Sequence, residues 1–389
     1  MTLFKLNQKN RLRFVYLGGF LIALHIALVT YINSSLLGQY VSNSVLSFLY
    51  VLGSFLGILS LFLIPILIRK IGSISTFSIF IILEILAVIG MGNLDIDLPV
   101  IAFFLVFLAT VPILYLFMDI NLEQGIFKET STGRKRGAYL TIFNIAFVLA
   151  PLVFAFLINN SDFGKVYTFS GLVLILLFLV NILFFKNTKE ATKRESNVLK
   201  ILQALRRDGD RLRILIIQFT LYFFYAWMVI YMPLLLSKEV GFTWEKIGII
   251  FTIMLLPFLL LQFPTGQLAD KKYGEKEFLI AGFIIMSAAC LLVPQINLPL
   301  FWIWAAVLFI SRIGASIVEI ASESYFFKHV DEEDTGYISL FRMARPLAYI
   351  VAPLLAIPIL YFFSYSTSFY FLAGFVLLGL FFIPKKDTK

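Results

Sequence analysis

A few polar residues sit inside long apolar runs, and their chemistry is that of holding an ion or a small polar solute. Arg312 lies near the middle of one run, in F-I-S-R-I-G-A, with Gly314 two residues on. A guanidinium at that depth needs an anion, either a substrate carboxylate or phosphate or an acid on another helix. Glu84 is the one acid at the centre of a run; it suits a proton carrier, a structural pair or a snorkelling side chain. His25, flanked by Leu24 and Ile26, titrates near neutrality and suits proton coupling, a substrate hydrogen bond or plain packing. Gln218, Tyr222 and Tyr225 fall on one helical face at i, i+4 and i+7, with Trp227 nearby. They form either a hydrogen-bonding aromatic wall for a ligand or ordinary aromatic packing. Asn144 and Gln262 are explained by bonds between helices.

The same inventory excludes several chemistries. One cysteine, Cys290, and two histidines leave no internal disulfide and no thiolate metal site, so neither metal nor cofactor is expected. The chain has no G-x-x-x-x-G-K-[ST] loop for ATP. Asp331, Glu332, Glu333 and Asp334 with His329 match no calcium loop. The stretch from Glu323 to Arg342 reads instead as a solvated loop, with Asp334 or Thr335 capping the next helix. A membrane enzyme acting on lipid-linked substrates is the second class, and a receptor or scaffold the third. The outer loop from Asn33 to Ser44 has no acid for glycosyl transfer, and no extramembrane domain supports a scaffold.

The elements that position these residues follow from composition. Sixty per cent of the 389 residues are hydrophobic and 14% charged, too apolar for one or two soluble cores. Runs long enough to cross a bilayer recur at 14–33, 46–68, 74–92, 99–118, 137–158, 166–185, 212–236, 247–268, 277–294, 299–318, 338–361 and 368–384. Lipid offers no partner to an open backbone, so these are helices, and the fold class is an all-α integral membrane protein of twelve transmembrane helices. The first run has no small-residue cleavage site after it and reads as a permanent helix. Most of the 32 Lys and Arg residues fall in the termini and alternate loops. The positive-inside rule then puts both termini in the cytoplasm, in the cell (inner) membrane. The net charge of +9 is accordingly a topology signal and no sign of nucleic acid. Between Lys186 and Arg213, Val198, Ile201, Leu202 and Leu205 recur at helical spacing, as in a short amphipathic helix on the inner surface or a solvated linker.

The halves echo each other. Asp119 and Glu123 close segment 4, Glu319 and Glu323 close segment 10 at 200 positions further on, and Pro151 and Pro353 interrupt the helices that follow. The domains read as a six-helix half over 1–186, a cytoplasmic linker over 187–211 and a second half over 212–389, related by duplication.

Gly266 to Lys276, G-Q-L-A-D-K-K-Y-G-E-K, joins segments 8 and 9 and resembles the G-x-L-A-D-R-x-G-R-R loop of the major facilitator superfamily. Gly241 to Gly248, G-F-T-W-E-K-I-G, is similar to that family's entry into segment 8. The copy between segments 2 and 3 departs from the pattern, with Pro65 for Gly and Arg69 for Asp, and Glu275 stands where Arg is usual in the second copy. The resemblance implies two pseudo-symmetric six-helix halves, with segments 1, 4, 7 and 10 around a central path. It also implies a secondary transporter of a small molecule by alternating access, coupled to protons or a uniporter, working as a monomer in the bilayer. Within the motif, Gly266 permits close helix approach and Gly274 a positive φ. Asp270, beside Lys271, can accept from a helix N-terminus or from Arg134 or Arg136, closing a cytoplasmic gate, or the segment is a tight cytoplasmic turn with solvated charges. Arg69 can meet the acids Asp119, Glu123, Glu319 and Glu323 at the ends of segments 4 and 10.

Overall fold

A computed structural model of the chain describes residues 8–126, 132–158, 162–185, 209–268, 274–329 and 335–385. Twelve long helices dominate the described residues. We label them α1 (Gln8–Thr30), α2 (Asn43–Ile71), α3 (Ser73–Asn93), α4 (Asp97–Ile126), α5 (Thr132–Leu157) and α6 (Gly164–Phe184). The second set is α7 (Gly209–Leu234), α8 (Trp244–Leu260), α9 (Glu275–Leu292), α10 (Phe301–Lys328), α11 (Thr335–Phe362) and α12 (Tyr365–Leu377). Eleven, α12 together with its tighter continuation Leu378–Phe382, are long and apolar enough to cross a membrane. The remaining one, α8, has 17 residues, turns at Leu261 and resumes over Gln262–Leu268. Phe62, Phe156, Trp302 and Phe381 lie exposed on outward faces, which a water-soluble protein would not tolerate in such number but lipid accepts. The chain is an all-α, multi-pass integral membrane protein.

The chain divides into two compact units, Met1–Thr192 and Lys193–Lys389. In the first, α1 packs on α4, α5 and α6, α2 on α4, and α3 on α4 and α6. In the second, α7 packs on α10, α11 and α12, α8 on α10, and α9 on α10 and α12. Each major pairing of the first unit is thus repeated six helices later, the internal duplication expressed as packing. The turns agree. Gly72 before α3 has φ 86° and ψ 164°, and Gly274 before α9 has φ 79° and ψ 172°, a region open essentially to glycine alone. The positive φ expected at Gly274 is present.

Close backbone approach sets the crossings. A Cβ on Gly314 of α10 would lie 2.6 Å from the Gly282 carbonyl oxygen of α9, and one on Gly57 of α2 would lie 2.9 Å from the Leu108 oxygen of α4. Small residues at such crossings replace the hydrophobic driving force that lipid does not supply.

Several boundaries differ from the sequence reading. Helix α4 runs on to Ile126 and α10 to Lys328, so Asp119, Glu123, Glu319 and Glu323 lie within helices and do not close them. The stretch from Glu323 to Arg342 is helical up to Lys328 and again from Thr335; only residues 329–334 are left to connect, and 330–334 lie outside the described residues. Asn33–Leu37, read as outer loop, is a short buried helix. The reason is common to all three: hydropathy falls where lipid ends, whereas the hydrogen-bond ladder of a helix continues into the interface. The amphipathic stretch around Val198 to Leu205 lies outside the described residues.

Candidate functional site

The first unit holds a fully enclosed polar network. His25 of α1 and Glu84 of α3 are both 0% exposed, and His25 Nε2 lies 2.9 Å from Glu84 Oε1. Glu84 Oε2 accepts from the Thr110 hydroxyl of α4. His25 Nδ1 is 2.7 Å from Ser170 Oγ of α6, and that hydroxyl reaches the His25 carbonyl oxygen at 3.3 Å. With the Ser170 proton on that carbonyl, Nδ1–H donates to Ser170, and one proton is left to share between Nε2 and Oε1. Four helices, α1, α3, α4 and α6, are tied by this set. Sequence reasoning treated His25 and Glu84 separately, and nothing in their spacing of 59 residues could have joined them.

The second unit carries a larger polar cluster on α7, α10 and the short helix after α8. Ser322 donates to Gln218 Oε1 at 2.8 Å. Tyr225 and Gln262 each donate to Glu319 Oε2 at 3.3 Å. The rings of Tyr222 and Tyr225 meet edge to face with centroids 5.9 Å apart, as the shared helical face required, and both are half-buried. Arg312 is 1% exposed, with its guanidinium 4.9 Å from the Phe224 ring centre and 5.5 Å from that of Tyr225. Its Nε and Nη1 have no hydrogen-bond partner among the described residues, and the same holds for the buried indole nitrogen of Trp227. Trp227 turns toward α12, stacking with Phe371 at 5.5 Å and with Phe223 at 5.8 Å. It therefore does not extend the tyrosine wall as expected. The displacement relating Gly72 to Gly274 also relates His25 to Trp227, Glu84 to Met286 and Thr110 to Arg312. The two units have filled corresponding positions with different chemistry.

Of the gate residues, Gly266 lies in the short helix after α8 and Gly274 in the turn before α9, while Asp270 and Lys271 lie outside the described residues, as do the side chains of Glu123 and Arg136. Arg69 is exposed at the end of α2 and makes no bond to a described residue; Asp119 is exposed on α4. Glu275, a departure from the motif, is fully buried at the start of α9 and accepts from Lys328 at 2.6 Å and Ser324 at 2.8 Å. That clasp of α9 to α10 was not anticipated. An acid in a first helical turn adjoining a helix rich in small and polar residues was the available signal.

Fold and site together define a multi-pass membrane protein of two repeated six-helix units, each with a polar core at bilayer depth. The family model described as Major Facilitator Superfamily matches residues 214–389, within the second of the two units, without an identified subfamily. No curated protein matches its sequence. Among solved structures, a point mutant of the nucleoside transporter NupG superposes with a TM-score of 0.73 at 13% identity, covering 96% of this chain and 98% of its own. The human organic anion transporter MFSD10 (TETRAN) gives 0.64 at 15% identity over 97% and 100%. The bacterial homologue of the human lysosomal transporter Spinster gives 0.69 at 12% identity over 97% and 93%. At such identities the likeness is one of fold. The match over the second unit and the shared fold support a membrane transporter.

Proposed function

We propose that the chain is a secondary transporter that moves a small solute by alternating access of its two units, coupled to a proton gradient. The observation that carries this reading is the polar cluster of Gln218, Tyr222, Tyr225, Gln262, Arg312 and Glu319 among the apolar helices, on α7, α10 and the short helix after α8. Polar groups so deep in an apolar bundle cost several kcal/mol unless they serve a solute or a partner. Proton coupling draws support from the first unit. The His25–Glu84 network closes with one shared proton, and it also closes with a second proton on Glu84 Oε2 donated to Thr110, whose own hydroxyl then donates to the Val106 carbonyl 2.9 Å away. Two protonation states thus fit without movement of a heavy atom.

The protein works as a monomer in the cell (inner) membrane with both termini cytoplasmic, and its halves are 1–186 and 212–389 about the linker 187–211. The proposed latch of the cytoplasmic side is Asp270, in the segment between Gly266 and Gly274, and the further gate residues are Lys271, Arg69, Arg136, Asp119, Glu123, Glu319 and Glu323. The test is proton entry into proteoliposomes with trapped pyranine, on addition of nucleosides, dicarboxylates, sugars or dipeptides. Alkalinisation or acidification that depends on one solute class, and is lost in Glu84→Gln, supports coupled transport. Solute flux with no proton movement reduces the reading to uniport, and absence of any flux removes it.

A further inference from the structure

We infer that the transported solute is an anion, bearing a carboxylate, phosphate or sulfonate that Arg312 receives. The inference rests on the transporter reading and names the substrate class of its second-unit cluster. Arg312 lies eleven residues into α10, which at 1.5 Å per residue is about 17 Å from Phe301 and about 21 Å from Phe326. Neither interface is within reach of its side chain, so it cannot snorkel, and a lipid headgroup does not come to it. A buried arginine is always charged, and a buried charge is stable only when paired.

The candidate internal partner is Glu319, two turns along the same helix. Its Oε2 is taken by Tyr225 and Gln262, and no ion pair joins it to Arg312 among the described residues. What Arg312 has in place of an acid is the faces of Phe224 and Tyr225. Cation–π contact offsets part of the burial cost and leaves the in-plane N–H donors unspent. Nε and Nη1 are those unspent donors, and two adjacent guanidinium N–H groups form the fork that matches two oxygens of one anionic group. Gln218, Tyr222 and Gln262 border the same cluster and can read hydroxyl or amide groups on the rest of the solute.

The experiment uses the full-length protein in detergent, with benzoate, lactate, succinate, inorganic phosphate, glycerol 3-phosphate and methanesulfonate as anionic probes. Glucose and glycerol serve as neutral probes, and phosphatidylglycerol forms a separate arm. At least one soluble anion raises the melting temperature of the wild type. Its affinity falls on the order of thirtyfold or more in Arg312→Gln, because a desolvated charge pair has lost one member. Should Arg312→Gln not fold, Arg312→Lys carries the test; it keeps the charge, loses the fork, and binds the anion at least roughly tenfold more weakly. Stabilisation by neutral probes alone, by phosphatidylglycerol alone, by no anion, or by an anion whose affinity neither variant alters overturns the proposal. Uptake of a neutral probe unaffected by Arg312→Gln overturns the anion site and leaves transport standing. Anion binding without flux in proteoliposomes overturns transport and leaves the site.

Discussion

Replacing Glu84 by Leu removes one member of a buried pair whose two side chains are fully enclosed and 2.9 Å apart. His25 Nε2 then has no partner, and the Thr110 hydroxyl falls back on the carbonyls of Val106 and Phe107 at 2.9 and 3.1 Å. Thr110 is therefore spared, and the cost comes from His25. A buried polar group without its bond costs about 1–3 kcal/mol, so Glu84→Leu should lose about 2 kcal/mol. His25→Leu strips an acid of one of its two bonds and leaves Ser170 with only the backbone; about 2–4 kcal/mol is expected. The double variant removes both needs at once and should cost less than the sum, with a coupling of about 1.5 kcal/mol or more. That exceeds the roughly 0.6 kcal/mol average for transmembrane hydrogen bonds, because both side chains are fully enclosed. Glu84→Gln supplies an amide donor to Nε2 and should stay within about 1 kcal/mol of wild type if the pair is neutral. The assay is equilibrium unfolding in mixed dodecyl maltoside–SDS micelles for wild type, both singles and the double. Additivity within about 0.5 kcal/mol would refute the reasoning, since the two side chains would then not depend on each other.

Gly314→Ala places a methyl against the Gly282 carbonyl oxygen and the Met286 amide nitrogen, backbone atoms that cannot rotate away; a loss of about 1–3 kcal/mol is expected in the same assay. Gly72→Ala and Gly274→Ala each force a Cβ into a glycine-only conformation at about 1–3 kcal/mol, and an unchanged midpoint for either would remove the case for matched turns. Glu275→Gln should cost about 1–2 kcal/mol, and Lys328→Met should cost at least as much, because it takes the cation from a carboxylate that is fully buried. Asp270→Asn should raise labelling of cysteines placed on the inner side of α10 and lower transport; unchanged values for both would sink the latch.

The polar chemistry was only half legible. Arg312 stood out because a charge in the centre of an apolar run is costly wherever it points, and the structure keeps it buried without an acidic partner among the described residues. The helical face of Gln218, Tyr222 and Tyr225 was readable from spacing alone, since residues on one helix share a face by geometry. For Trp227 the sequence left a ligand wall and aromatic packing open, and packing against Phe371 of α12 takes the second course. Glu275 looked like a degraded motif position and is a buried acceptor between helices.

By itself, the sequence determined the membrane, the helices, their number and the duplication. Bilayer thickness and the need to satisfy every backbone group leave little else for runs of that length and composition. Tertiary structure alone decided which side chains meet. His25 is 59 residues from Glu84 and 145 from Ser170, and Tyr225 is 94 from Glu319. Contacts across such separations depend on helix rotation and crossing at single glycines, which no local pattern encodes.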